Sequence, residues 1–104
     1  MGRIVIAAYR PKPGKGEELV ALTREHYPIL REQGLVTKRR PMIGRAADGT
    51  IVEAFEWEAG AIERAHSNPA VLELWKRYEA VCEYVPLAAL GESANLFAEF
   101  EAVN

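Results

Sequence analysis

This chain predicts an α+β sandwich, and three observations carry the prediction. Residues Ile4 to Tyr9 are apolar on both alternating faces, Asp48-Gly49 separates two extended stretches, and Val71, Leu74, Trp75, Tyr78, Val81, Cys82 and Val85 recur at intervals of three and four. A period of two marks a strand, a period of about 3.6 a helix, and Asp-Gly between strands a hairpin. A helical stretch from Glu17 and an extended one from Asn95 to Glu101 complete the order strand, helix, strand, strand, helix, strand. That is the ferredoxin-like βαββαβ plan: an antiparallel sheet in the order four, one, three, two, with both helices on one face. At 104 residues, residues 1–104 form one domain, which can bury about two-thirds of its unfolded surface.

Pro11-Lys12-Pro13-Gly14-Lys15-Gly16 ends the first strand. The helix that follows puts Leu19, Leu22, His26, Ile29 or Leu30, and Gln33 on one face, with Glu17 and Glu18 at the positive end of its dipole. Pro28 removes one backbone hydrogen bond and predicts a kink between Arg24 and Tyr27, and Gly34 ends the helix. Val36 to Arg45 is the second strand; its Pro41 cannot donate to a ladder and so belongs at a sheet edge. A turn centred on Asp48 and Gly49 pairs Arg45 with Val52, Gly44 with Glu53, Met42 with Phe55, Arg40 with Trp57 and Arg39 with Glu58. After a short helix from Ala59 to Ser67, Asn68 caps the main helix, Pro69 occupies its first position, and the helix runs through Val85 to a stop at Pro86. Leu87 to Leu90 form a turn closed by Gly91, and Asn95 to Glu101 the fourth strand.

Hydrophobic residues at 49% and charged ones at 27% are the balance of a globular protein, and no apolar run reaches the ~20 residues of a membrane span. The N-terminal apolar run meets Tyr9-Arg10-Pro11-Lys12 where a signal peptide needs a longer core and a cleavage site. A lone cysteine, Cys82, makes no internal disulfide, which places the chain in the cytoplasm. The net charge of −2 gives no general attraction for nucleic acid or anionic lipid. Lys38-Arg39-Arg40 is a local basic run, but Glu53, Glu56 and Glu58 on the third strand oppose an RNA-binding sheet, so no nucleic-acid partner is expected.

Two helices cover one sheet face, whereas the first strand is apolar on both, and Phe97 alternates with Leu96, Ala98 and Phe100 on the fourth. An apolar face of that size calls for a partner, and the simplest is a second copy packed sheet to sheet as a homodimer.

The order of elements, the strand Val52-Glu53-Ala54-Phe55-Glu56-Trp57 before a short helix, and the step His66-Ser67-Asn68-Pro69 into a helix bearing Trp75 resemble the dimeric α+β barrel proteins. Within these the chain is most similar to the antibiotic-biosynthesis-monooxygenase-like group. The resemblance implies a barrel formed by two subunits. It also implies a range of activities that includes oxygenation of polycyclic aromatics without a cofactor, haem degradation, and no known activity. The haem-degrading branch relies on an Asn, a Trp and a His where this chain has Tyr9, Ala65 and Trp75, which speaks against that activity.

His26 is the polar exception on the first helix's inner stripe: a general base, or a satisfied core histidine. His66, between the two later helices, is a site residue or a junction residue favoured by the helix dipole. Glu53 interrupts the apolar face of Ile51, Phe55 and Trp57, opposite Gly44, and is either a proton acceptor beside open space or half of an ion pair. Trp57, Trp75 and Tyr78 line an aromatic pocket or fill the core. Two histidines without Cys or paired carboxylates at ligand spacing make no metal site, and no cofactor is expected. Two functions remain open. One is a cofactor-free monooxygenase or isomerase acting on a planar apolar or aromatic compound, with His26, His66 and Glu53 handling protons; the alternative is a non-catalytic dimeric module that binds a metabolite or a protein.

Overall fold

The computed structural model describes residues 2–104. In chain order the elements are β1 (Arg3–Pro11), α1 (Gly16–Glu32), β2 (Met42–Arg45), β3 (Ile51–Trp57), α2 (Ala61–Ala65), α3 (Pro69–Val81), β4 (Cys82–Val85), two 3-10 turns (Leu87–Ala89 and Gly91–Ala94), and β5 (Glu101–Ala102). Among the described residues the strands form one antiparallel sheet ordered β4-β1-β3-β2-β5, compatible with a ferredoxin-like plan that carries an extra strand. The main core lies between sheet and helices, where Tyr9, Ile43, Ile51, Phe55 and Trp57 meet Leu19, Leu22 and Leu30 of α1 and Val71, Leu74 and Tyr78 of α3.

α1 continues through Pro28, whose ring is exposed. It closes in a Schellman motif: Leu35 N–H donates to the Leu30 carbonyl at 3.0 Å, Gly34 N–H to that of Arg31 at 3.0 Å, and Gly34 takes φ 71°. Asn68 caps α3 by accepting from the N–H groups of Ala70 and Val71 at 2.9 and 3.2 Å, with Pro69 following at N1. Asn68→Ala should therefore lower unfolding free energy by about 1 kcal/mol, read from a urea titration; an unchanged midpoint would show that the cap contributes nothing.

The hairpin register differs from the expected one by one residue: Arg45 pairs with Ile51, Gly44 with Val52, Ile43 with Glu53 and Met42 with Ala54. Ala46 N–H donates to Thr50 O and Gly49 N–H to Ala46 O, so Ala47, Asp48 and Gly49 form a three-residue loop with Gly49 at φ 93°. A three-residue loop with a left-handed glycine at its last position is a common hairpin connection, and it shifts the pairing by one residue. The second strand is also shorter than expected. Val36 makes one bridge to Trp57, Trp57 pairs with Arg3, and Lys38 to Pro41 leave the sheet, so neither Arg40 nor Arg39 faces the strand opposite. Pro41 precedes β2, which is not an edge because β5 pairs along its other side.

Both ends of the sheet also differ from the expected arrangement. The expected helix through Val85 stops at Val81, and Cys82 turns straight into extended backbone, φ −152° and ψ 173°. Cys82 to Val85 then pair with Pro11 to Ala8, because the free edge of β1 offers four residues a ladder that one more helical turn does not. Pro86 thus stops a strand rather than a helix. Asn95 to Glu101 is not the fourth strand. That segment crosses to the opposite edge, where only Glu101 and Ala102 pair, with Arg45 and Gly44.

On the way, Leu90 and Phe100 cover Ala8, Ala46 and Val52 on the sheet face away from the helices. A Cβ on Gly44 would lie 2.9 Å from that of Phe100, so the space beside Gly44 holds a side chain. The rest of this face is bare in the single chain: Ile4 is 67% exposed, Ile6 50% and Met42 73%, and Leu96 and Phe97 are exposed beyond them.

Candidate functional site

Strand alternation aims Val5, Ala7 and Tyr9 of β1 and Ile51, Glu53, Phe55 and Trp57 of β3 at the helices. Antiparallel pairing sets Tyr9 beside Ile51 and Ala7 beside Glu53. α1 lays His26 over this patch, and α3 brings Tyr78 and Trp75 to its side. The result is a cleft of about 360 Å³ with walls of Val5, Ala7, Phe55, Trp57, Trp75 and Tyr84, and with Tyr9, His26 and Tyr78 at its polar points.

The centre of the site is Glu53, fully buried beneath the cleft. Its Oε1 accepts the Tyr9 hydroxyl at 2.8 Å and lies 2.8 Å from His26 Nδ1. With a carboxylate oxygen as acceptor, Nδ1–H is the donor, and Nε2 has no hydrogen-bond partner among the described residues. Phe55 and Tyr78 meet the imidazole edge-on at centroid distances of 5.3 and 5.5 Å and hold its plane. Glu53 Oε2 and Thr50 Oγ1 are buried without a partner among the described residues, the kind of orphan that marks a strained or functional site.

Three tyrosines share this environment. Burial, and then the Glu53 charge, hold the Tyr9 hydroxyl's pKa far above the ordinary phenol value. Burial and Glu53 do the same to Tyr78, which donates to Thr23 Oγ1 at 3.3 Å. Tyr84, on the outer wall, is pushed by burial to about 12. All three are therefore neutral hydrogen-bond donors at physiological pH.

The structure brings together five of the six residues singled out from the sequence: His26, Glu53, Trp57, Trp75 and Tyr78. His66 stands apart from the dyad, exposed at the end of α2, with its ring 5.1 Å from that of Trp75. Tyr9 is the residue that sequence reasoning missed. Its signal was parity, because it shares a face with Val5 and Ala7 and carries the only hydroxyl in that row. Among the described residues no group of three or more His, Cys, Asp or Glu is placed to hold a metal ion, and no helix is long and apolar enough to cross a membrane. No family model, curated protein or solved structure matches this chain.

Proposed function

We propose that the chain is a dimeric α+β barrel protein of the antibiotic-biosynthesis-monooxygenase-like kind, a cytoplasmic homodimer that acts on a planar, largely apolar or aromatic compound as a cofactor-independent monooxygenase or isomerase. One observation carries this reading: a buried carboxylate 2.8 Å from His26 Nδ1, on a ring whose other nitrogen is unpaired in an aromatic cleft. In that arrangement Nε2 takes a proton from a phenol or from carbon next to a carbonyl. Glu53 fixes the tautomer and stabilises the imidazolium that forms, and the Tyr9 hydroxyl keeps Glu53 in place. Trp57, Trp75 and Tyr78 hold the substrate's plane. Reprotonation at another atom completes an isomerisation. In a monooxygenation the carbanion at a CH2 group adds dioxygen and takes up a proton to give a hydroperoxide. Loss of the remaining C–H proton as the O–O bond breaks releases water and leaves a new carbonyl, so the substrate supplies all four electrons and no other reductant is needed.

β-Tetralone, an apolar carbon acid, tests the proton step through its hydrogen–deuterium exchange in heavy water, followed by proton NMR. Catalysed exchange should fall by about 10²–10⁴ in His26→Gln. Binding that quenches tryptophan fluorescence, with no exchange beyond that of His26→Gln, would favour the non-catalytic module instead.

The homodimer is supported by the bare apolar row of Ile4, Ile6 and Met42 on the face the helices leave open. Sedimentation should give a dimer at micromolar concentration, shifted toward monomer by Ile6→Asp. A wild-type monomer would end the barrel reading.

A further inference from the structure

A second, larger cavity of about 600 Å³ lies between α1 and β2, and no residue lining it also lines the aromatic cleft. Four cations line it: Arg24 and Arg31 from α1, and Lys38 and Arg40 from the segment that leaves the sheet before Pro41. No Asp or Glu side chain does. Elsewhere on the surface Arg39, Arg45, Arg77 and Lys15 each pair with a carboxylate, of Glu56, Glu101, Glu25 and Glu18, whereas none of the four cations of the cavity does so among the described residues. Inside the cavity the guanidiniums of Arg24 and Arg31 donate only to the carbonyls of Val103 and Val36, at 3.1 and 3.2 Å, which positions them without cancelling their charge. The side chains of Lys38 and Arg40 make no hydrogen bond or ion pair among the described residues. Four like charges converging on one concavity repel each other unless an anion joins them.

The cavity's other walls are apolar: Tyr27, Pro28, Pro41 and Ile43. Its rim is fixed, because Asn104 donates to the Pro41 carbonyl at 2.9 Å and accepts from Ile43 N–H at 2.8 Å, and the Tyr27 hydroxyl donates to the Thr37 carbonyl at 2.8 Å. We propose that this cavity binds a small organic anion, a phosphate monoester or carboxylate with an apolar body, whose charged end sits among Arg24, Arg31, Lys38 and Arg40 while the body lies on Tyr27, Pro28 and Ile43. A guanidinium held in place by a carbonyl, as those of Arg24 and Arg31 are, suits a two-oxygen anionic head, and the free Lys38 and Arg40 close over it. The site is separate from the proton-transfer chemistry at His26 and does not depend on it.

Isothermal titration with phenyl phosphate, phenol and a single-stranded RNA oligonucleotide tests this on wild type and on the double variant Lys38→Gln/Arg40→Gln. Both positions are exposed and unpaired, so circular dichroism should confirm an unchanged fold. Phenyl phosphate should bind while phenol does not, and the double variant should weaken phenyl phosphate binding about tenfold or more. Added salt should weaken it as well. Equal binding by the double variant, or equal binding of phenol, overturns the proposal. RNA binding tighter than phenyl phosphate and lost in the same variant overturns it in favour of a nucleic-acid surface.

Discussion

Glu53→Ala should remove about 3–5 kcal/mol of stability, a large share of what a small domain has. The carboxylate is fully buried, and two donors, the Tyr9 hydroxyl and His26 Nδ1, converge on one of its oxygens. Truncation leaves both donors unpaired in a dry interior, each at a cost of about 1–3 kcal/mol, and opens a void where the side chain was. Glu53→Gln keeps an acceptor oxygen in nearly the same place and should cost only about 1–2 kcal/mol. Urea unfolding of the three proteins at equal concentration reads the difference. If Glu53→Ala unfolds within about 1 kcal/mol of wild type, the Tyr9–Glu53–His26 network is not formed in solution. Separating the two variants also separates structure from chemistry: the glutamine form keeps the fold but loses the negative charge that would stabilise an imidazolium.

The parts of this architecture legible in the sequence are those where one residue's chemistry decides the outcome locally. Asn68-Pro69 names a helix start because the cap and the missing N–H act within one turn, and Gly34 names an end because a left-handed residue is needed there. Glu53 was legible as a charge on an otherwise apolar row, and His26 as an imidazole among leucines. What was not legible depended on competition between distant segments. Val81, Cys82 and Val85 keep helical spacing, yet Cys82-Glu83-Tyr84-Val85 also suits a strand, and the open edge of β1 settles the matter. Losing that edge sends Leu96 to Phe100 across the sheet to the far side of β2. Asp48-Gly49 fits a two-residue or a three-residue loop, and the choice decides which residue faces Glu53. Even so, the one-residue slip left the site intact, because Glu53 reaches His26 through β3's own alternation and its pairing with β1, neither of which involves β2.

Alkali should unfold the protein steeply, and the buried tyrosines give both sign and slope. Tyr9 and Tyr78 are buried, and the pKa of each is raised far above the ordinary phenol value by desolvation and by Glu53. Above pH ~10 the unfolded chain loses those protons while the folded chain retains them, so the unfolded state binds fewer protons and stability falls as pH rises. Each group contributes a slope of about −1.4 kcal/mol per pH unit, so the pair removes roughly 5 kcal/mol between pH ~10 and ~12, whereas below pH ~10 their contribution is fully present. Tyr78→Phe makes the test sharp. At neutral pH it loses only a long hydrogen bond to Thr23 and should cost about 1 kcal/mol. By pH ~12 it has been spared about 2.7 kcal/mol of the wild-type loss and should be the more stable protein, with the two curves crossing near pH ~11. Denaturant unfolding at several pH values, with phenolate absorbance as the second signal, locates the crossing. Parallel curves for wild type and Tyr78→Phe up to pH ~12 would mean that Tyr78 ionises as freely in the folded protein as in the unfolded chain, which its burial between α1 and β1 does not allow.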